Sequence, residues 1–121
     1  MQKAYRFVVF PLSSVTVDFL IAPPNYKLAK KGADVTLDCK VKGFPQPQLV
    51  WKKDGELLTN TSRVSVITDV ANKSFTSSRL QIRGVTKEDV AVYSCISWNR
   101  GSVRFTQTRV LLTGKSFCYC Y

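Results

Sequence analysis

The stretch VTLDCKVKGFPQPQLVW, residues 35–51, decides the fold of this chain. Its first seven residues place an apolar side chain at every second position, with polar or charged side chains between them. This alternation predicts a β-strand with one buried and one solvated face. Pro45 and Pro47 then interrupt the strand, because proline cannot donate to a sheet ladder. Leu49 and Trp51 resume the inward parity and begin a second strand.

The same alternation recurs along the chain and predicts further short strands. Residues 53–55 carry the Asp-Gly signal of a hairpin, and apolar parity returns in residues 80–85, 92–96 and 105–112. Val, Thr, Ser, Tyr and Phe are plentiful, and no long stretch repeats apolar residues at helical spacing. A chain of 121 residues has room for one core. We therefore predict a single all-β domain.

Four residues at fixed spacing give this prediction a family resemblance. Trp51 follows Cys39 by twelve positions, Cys95 follows Cys39 by fifty-six, and Tyr93 precedes Cys95 by two. In this order and spacing the chain resembles the I-set of the immunoglobulin superfamily. The phrases that carry the resemblance are GFPQPQLVWKKDG (residues 43–55) and LQIRGVTKEDVAVYSC (residues 80–95), and it covers residues 23–113.

The resemblance implies an immunoglobulin-like β-sandwich of two antiparallel sheets with Greek-key connections. It implies a disulfide between Cys39 and Cys95 that ties the sheets together and stabilises the domain by roughly 4 kcal/mol in chain-entropy terms. It also implies an ion pair between Arg63 and Asp89 that closes one end of the sandwich. The core residues that it implies are Trp51, Tyr93, Leu37 and Leu80.

The residue types argue against catalysis. The chain has no histidine, and 8 carboxylates stand against 18 lysines and arginines. No Gly-rich phosphate loop, Cys-His pair or carboxylate cluster occurs, so we expect a non-catalytic module with no cofactor or metal ion. The formal net charge of +10 predicts either attraction to polyanions, acidic proteins and anionic membranes, or a surface that is merely soluble.

A segment of different character, residues 1–22, precedes the predicted domain. It begins with basic residues and continues as a broken apolar run that ends at Ala22, as a secretory signal does. Asp18 and Pro11 interrupt that run, and residues 15–21 fit an added edge strand of the sandwich equally well. No apolar run reaches the roughly 18 residues that a membrane span needs, so we expect no transmembrane segment in this chain.

The last eight residues, 114–121, form a predicted tail that contains Cys118 and Cys120. Cysteines two apart on a strand point to the same face, but their Cα atoms lie about 6.6 Å apart, near the upper limit of disulfide geometry, so a bond between them would be strained. An intermolecular disulfide, a link to a missing continuation and an incidental tail are three open interpretations of this pair.

The predicted disulfide also predicts a compartment, because such a bond persists where the surroundings oxidise thiols. Two glycosylation sequons, at Asn60 and Asn72, favour the same setting, although a Ser- and Thr-rich chain of this size carries such motifs by chance. We predict an extracellular location, in a secreted or cell-surface protein. An intracellular, titin-like array of structural I-set modules is the alternative.

Outward positions on the strands that hold Trp51 and Cys95 predict a partner face. Apolar side chains that lie together on a surface, with a tryptophan among them, favour recognition of another protein, another immunoglobulin-like domain included. In the alternative interpretation, Trp98 folds over the sheet edge or against residues 7–21 and belongs to the core. The predicted partner face consists of Val50, Lys52, Ser94, Ile96 and Trp98.

The other sheet predicts a basic patch. Such a cluster fits a matrix module that binds acidic glycans of the heparan sulfate type, with an affinity that falls as salt is added. We expect no nucleic-acid partner, because the aromatic residues are committed to the core and do not alternate with the cations. The predicted patch consists of Lys40, Lys42, Arg79 and Arg83.

Overall fold

The computed structural model describes residues 16–70, 74–114 and 118–119, and it confirms the predicted all-β sandwich. Within these ranges, ten strands form two sheets, and one 3-10 turn spans Lys87–Asp89. The strands are β1 (Val17–Ile21), β2 (Tyr26–Lys30), β3 (Val35–Gly43), β4 (Gln48–Lys53), β5 (Glu56–Leu57), β6 (Val64–Val70), β7 (Phe75–Ile82), β8 (Ala91–Asn99), β9 (Ser102–Thr113) and β10 (Cys118–Tyr119).

One strand pairing departs from the purely antiparallel sheets of the prediction. The first sheet has the strand order β1-β3-β7-β6, and all of its pairs are antiparallel. The second sheet has the order β10-β9-β8-β4-β5, and β2 adds to β9 as a parallel partner. Pro23 and Pro24 separate β1 from β2, and across them the chain passes from one sheet to the other.

Strand β1 lies at the edge of the first sheet, next to β3. Val17 is fully buried in the core, and Phe19 packs against the core from the same side of the strand. Gly43 is required where β1 meets β3, because a Cβ there would lie 2.6 Å from the carbonyl oxygen of Thr16. The segment that resembles a secretory signal thus contributes side chains to the sandwich, while the boundaries of the domain stay a prediction.

The core lies between the two sheets and is centred on the disulfide. Cys39 on β3 and Cys95 on β8 are bonded as predicted, with their Cα atoms 6.7 Å apart. Trp51 is 1% exposed, and its indole Nε1–H donates to Ser78 Oγ at 2.9 Å. The one polar atom of the tryptophan is therefore satisfied inside the core. Leu37 and Leu80 are also buried in this cluster.

A cluster of polar contacts closes one end of the sandwich around Asp89. Arg63 donates two hydrogen bonds to this carboxylate, Nη1 to Oδ2 at 3.2 Å and Nη2 to Oδ1 at 3.1 Å. The backbone N–H of Thr86 donates to Asp89 Oδ2 at 2.9 Å, and the Tyr93 hydroxyl donates to the Asp89 carbonyl at 2.7 Å. The 3-10 turn, its cap and strand β8 are thereby joined to the loop before β6.

These contacts decide the protonation of the Asp89 side chain, which is 4% exposed. Burial by itself raises the pKa of a carboxyl group, because it penalises the charged form. The hydrogen bonds from Arg63 and Thr86 and the positive charge of Arg63 outweigh burial, so the pKa of Asp89 lies below its ordinary value. The carboxylate is therefore charged at neutral pH.

This lowered pKa predicts a loss of stability in acid. A carboxyl group whose pKa is lower in the folded than in the unfolded state stabilises the fold above the unfolded pKa of roughly 4. That stability is lost as the pH falls through the folded value. We expect the thermal midpoint of the Asp89→Asn variant to be lower than that of the wild type at neutral pH, and to fall less steeply in acid. Circular dichroism melts from neutral to acidic pH measure both.

Asp69→Asn is the matched control, because it removes a carboxylate from the exposed part of β6, away from this cluster. The control should keep the acid dependence of the wild type. If Asp89→Asn and the wild type lose stability with the same slope in acid, the Asp89 cluster is not the source of that dependence.

Candidate functional site

Four rows of side chains cross strand β8 on the outer face of the second sheet. The register places them, because residues directly opposite one another on paired strands point to the same side of a sheet. These rows together are called the outer face below. From one end to the other they are Tyr26–Arg109–Val92, Gln107–Ser94–Lys52–Leu57, Phe105–Ile96–Val50 and Val103–Trp98–Gln48.

The two rows nearest the β8–β9 hairpin are mostly apolar. Phe105 is 61% exposed, Val103 is 67% exposed and Trp98 is 36% exposed, while Ile96 and Val50 are half-buried. Neighbouring strands lie about 4.8 Å apart, so the Phe105–Ile96–Val50 row fits within about 10 Å. Contiguous exposed apolar side chains of this kind mark interaction sites on protein surfaces. These five residues are called the apolar rows below.

The structure brings the predicted partner-face residues together on this outer face. They are Val50, Lys52, Ser94, Ile96 and Trp98. Trp98 is 36% exposed and does not belong to the buried cluster of the described residues, while residues 7–15, part of the segment against which the alternative interpretation folds it, lie outside them. The half-buried state of the four others follows from their position in the middle of a sheet.

Two of the most exposed apolar residues on this face, Val103 and Phe105, were missed from the sequence. The signal that could have found them is parity on β9, because both lie an odd number of positions from the buried Val110 and Leu112 and so point to the opposite face. Parity alone does not say which side chains of another strand they join. The pairing of Ile96 with Phe105 and of Trp98 with Val103 decides that.

The two remaining rows are polar and carry positive charge at Lys52 and Arg109. Within the described part of the chain, neither cation forms an ion pair with a carboxylate. Strands β4, β8 and β9 contain no Asp or Glu at all. These two rows, Tyr26–Arg109–Val92 and Gln107–Ser94–Lys52–Leu57, are called the cationic rows below.

The predicted basic patch on the first sheet stays a prediction, and the structure places carboxylates in the same rows as its cations. Three of the rows on the outward side of that sheet each carry one cation and one carboxylate, so each of the three has a formal charge of zero. Arg83 follows the end of β7, where its backbone N–H donates to the carbonyl of Arg63 at 2.9 Å. The rows are Asp18–Lys42–Phe75, Lys40–Ser77–Asp69 and Asp38–Arg79–Ile67.

Specific contacts hold two of these cations in place. Arg79 Nε donates to Asp38 Oδ1 at 2.8 Å, which raises the pKa of the arginine. Lys40 Nζ lies 5.5 Å from the centroid of the Phe75 ring, a cation–π distance. The sequence pattern found the cations on β3 and β7. It overlooked the carboxylates that β1 and β6 place beside them, because no pattern within one strand reveals its neighbours.

The sequon residue Asn60 is exposed, and its side chain has a structural contact. Its Oδ1 accepts a hydrogen bond from the backbone N–H of Val66 at 2.7 Å. The oxygen thereby caps β6 at the edge of the first sheet, while a glycan would be attached through the amide nitrogen. Asn72, Cys120 and the side chain of Cys118 lie outside the described residues.

Neither a metal centre nor a membrane-spanning helix is found in the described ranges. Among these residues, no group of three or more His, Cys, Asp or Glu side chains could hold a metal ion. No helix of the described chain is both long and apolar enough to cross a bilayer.

The amino-acid sequence of this chain is similar to a family profile and to several known proteins. The family profile described as "Immunoglobulin domain" matches residues 19–99. Contactin-1 of Homo sapiens is 35% identical over 85 residues, which are 69% of this chain and 8% of that protein. Neural cell adhesion molecule 1 of Bos taurus is 42% identical over 72 residues, which are 60% of this chain and 8% of that protein. The chain thus spans about 8% of the length of both relatives.

A solved structure with the same fold is that of titin domain M7. It has a TM-score of 0.71 and 17% identity, and the match covers 84% of this chain and 97% of that chain. At this identity the similarity shows the fold alone.

The exposure of the apolar rows predicts their effect on stability. We expect Trp98→Ala and Phe105→Ser each to change the free energy of unfolding by less than about 1 kcal/mol, because these side chains lie on the surface. Ile82→Ala, at a fully buried position, should lower it by about 2–5 kcal/mol. Urea unfolding measures all three. A loss at Trp98→Ala as large as at Ile82→Ala would place Trp98 in the core.

Proposed function

The chain belongs to the immunoglobulin domain family, and from that premise we propose that it is an extracellular, non-catalytic module that recognises another protein through its outer face. The observation that carries the proposal is the exposure of Phe105, Val103 and Trp98 on adjacent strands of one sheet. The similarity to neural cell adhesion molecule 1 supports the proposal, because that protein is named as an adhesion molecule and adhesion requires recognition of another molecule.

The construction of the outer face supports this function. On β4, Val50 faces outward between the buried Leu49 and Trp51, and on β8, Ile96 faces outward between the buried Cys95 and Ser97. The backbone that presents the apolar rows is therefore held by the packed core and needs little ordering when a partner binds. A rigid, preorganised surface loses less conformational entropy on association.

The apolar rows also have the composition of an interface centre. Aromatic side chains are enriched among the residues that dominate binding energies, and they bury a large area with few rotatable bonds. Phe105 and Trp98 are the aromatic members of these rows. We infer that these two residues act as the anchors of the interaction.

Binding to a panel of cell-surface ectodomains tests the proposed function. The whole chain serves as the probe, next to its Trp98→Ala and Phe105→Ser variants. We expect at least one ectodomain to bind the wild type and to bind each variant at least tenfold more weakly, since a truncated anchor costs more than about 1.4 kcal/mol.

Lys42→Gln is the matched control for that panel, since it changes an exposed residue on the opposite sheet. It should bind like the wild type. If an ectodomain binds Trp98→Ala and Phe105→Ser as tightly as it binds the wild type, recognition uses a surface other than the outer face.

Three observations support the extracellular setting. The Cys39–Cys95 bond needs surroundings in which thiols are oxidised. The amide of Asn60 is exposed, as a glycan acceptor must be. The similarity to neural cell adhesion molecule 1, whose name identifies it as a molecule of adhesion between cells, agrees with both. The similarity in fold to titin domain M7 is the reason for keeping an intracellular array as the competing assignment.

Mass spectrometry of the protein from its native source separates these two settings. For an extracellular module we expect Cys39 and Cys95 to resist alkylation until a reductant is added, and Asn60 to carry a glycan. A Ser62→Ala variant should lose the glycan and keep the Asn60 cap on Val66, because it removes the sequon hydroxyl and leaves Asn60 in place. Free thiols at both core cysteines would contradict the extracellular assignment.

A further inference from the structure

The two halves of the outer face differ in charge as well as in polarity. The apolar rows carry no charged side chain, whereas the cationic rows carry Lys52 and Arg109. Among the described residues, neither cation forms an ion pair with a carboxylate. Asp54 Oδ1 accepts a hydrogen bond from the Val92 N–H at the start of β8, and Glu56 pairs with Lys53, which has the opposite parity to Lys52. Any partner that covers both halves must meet uncompensated positive charge.

The apolar rows are too small to be the whole interface. Three strands about 4.8 Å apart and two rows about 7 Å apart cover about 200 Å² of the sheet plane. A stable interface buries about 800 Å² on each partner. The contact therefore extends beyond the apolar rows, and the adjoining part of the same face is the cationic rows, where the exposed Tyr26 and Leu57 enlarge the surface.

Covering Lys52 and Arg109 without a counter-charge is unfavourable. A cation that loses water and gains no hydrogen-bonded anion destabilises a complex. The planar guanidinium of Arg109 is suited to two parallel hydrogen bonds with one carboxylate. When a partner places carboxylates opposite Lys52 and Arg109, the resulting hydrogen-bonded ion pairs offset the free-energy cost of removing water from these two cations.

Two copies of the outer face packed on each other cannot pair Lys52 and Arg109 with carboxylates of their middle strands. Strands β4, β8 and β9 contain none, so two outer faces packed on each other bring the cationic rows against cations or against apolar side chains. The formal net charge of +10 adds repulsion between copies. The outer face is thus unsuited to pairing with itself.

We propose that the outer face binds a different protein, whose surface joins an apolar patch to carboxylates that pair with Lys52 and Arg109. This inference rests on the proposed function and names the chemistry of its partner. Association through this face is heterophilic, and its affinity falls as salt is added because the charged half of the interface is screened.

An unbiased selection tests the partner chemistry. The probe is a small helical scaffold displayed on yeast, with one surface randomised by codons that encode acidic, basic, polar and apolar residues equally. Clones are selected on the intact wild-type chain and then sorted by whether they still bind the Phe105→Ser variant. Clones that lose binding are directed to the outer face, and their randomised positions are sequenced.

We expect the face-directed clones to be enriched in Asp and Glu over Lys and Arg, together with apolar residues. Their affinity for a Lys52→Gln/Arg109→Gln variant should fall on the order of tenfold, the sum of two surface ion pairs. A Lys42→Gln/Arg83→Gln variant removes the same charge away from this face and should bind like the wild type. Sedimentation of the wild-type chain alone should show a monomer at micromolar concentration.

The outcomes separate this inference from the proposed function. Face-directed clones without an excess of carboxylates, or with equal affinity for both double variants, overturn the partner chemistry and leave protein recognition by this face intact. A wild-type dimer that Phe105→Ser abolishes overturns heterophilic binding. Selection that yields no clone sensitive to Phe105→Ser overturns the proposed function, and this inference with it.

Discussion

The bond between Cys39 and Cys95 joins the two sheets at the centre of the core, and the positions of the surface residues depend on it. Each strand that it ties has a strict alternation, so anchoring one side chain inward directs both neighbours outward. Cys95 thereby places Ile96 on the outer face, and Trp51 beside it places Val50. The same packing that stabilises the fold therefore presents the apolar rows on a backbone that cannot shift far without disturbing the core.

The distribution of the eight carboxylates separates the two outward surfaces of the sandwich. Asp38 and Asp69 lie in rows with cations on the first sheet, Asp18 pairs with Arg104 of β9, and Asp89 is committed to the closed end with Arg63. The middle strands of the second sheet contain no Asp or Glu, and Lys52 and Arg109 on its outer face form no ion pair among the described residues. The excess charge of the chain therefore acts locally. The charged rows on the first sheet are formally neutral, whereas Lys52 and Arg109 on the outer face are available to pair with acidic groups of a partner.

Much of the scaffold could be predicted from particular residues. The Cys39, Trp51 and Cys95 spacing predicted the sandwich, its disulfide and the centre of its core, because these depend on alternation within strands and on family resemblance. The outward parity of Val50, Ile96 and Trp98 was also readable within single strands. Phe105 and Val103 were not assigned to the same face, and the carboxylates Asp18 and Asp69 in the rows of Lys42 and Lys40 were overlooked, because both depend on which strands lie side by side.

By itself, the sequence determined the class of fold, the pair of cysteines that closes it and the residues that turn inward or outward along each strand. Only the tertiary structure decided which outward residues meet. Alternation is a local property of the backbone with a period of two, whereas register is set by turns, prolines and packing across the core. Thus the apolar row through Phe105, Ile96 and Val50, the neutral rows of the first sheet and the parallel pairing of β2 with β9 all required the folded chain.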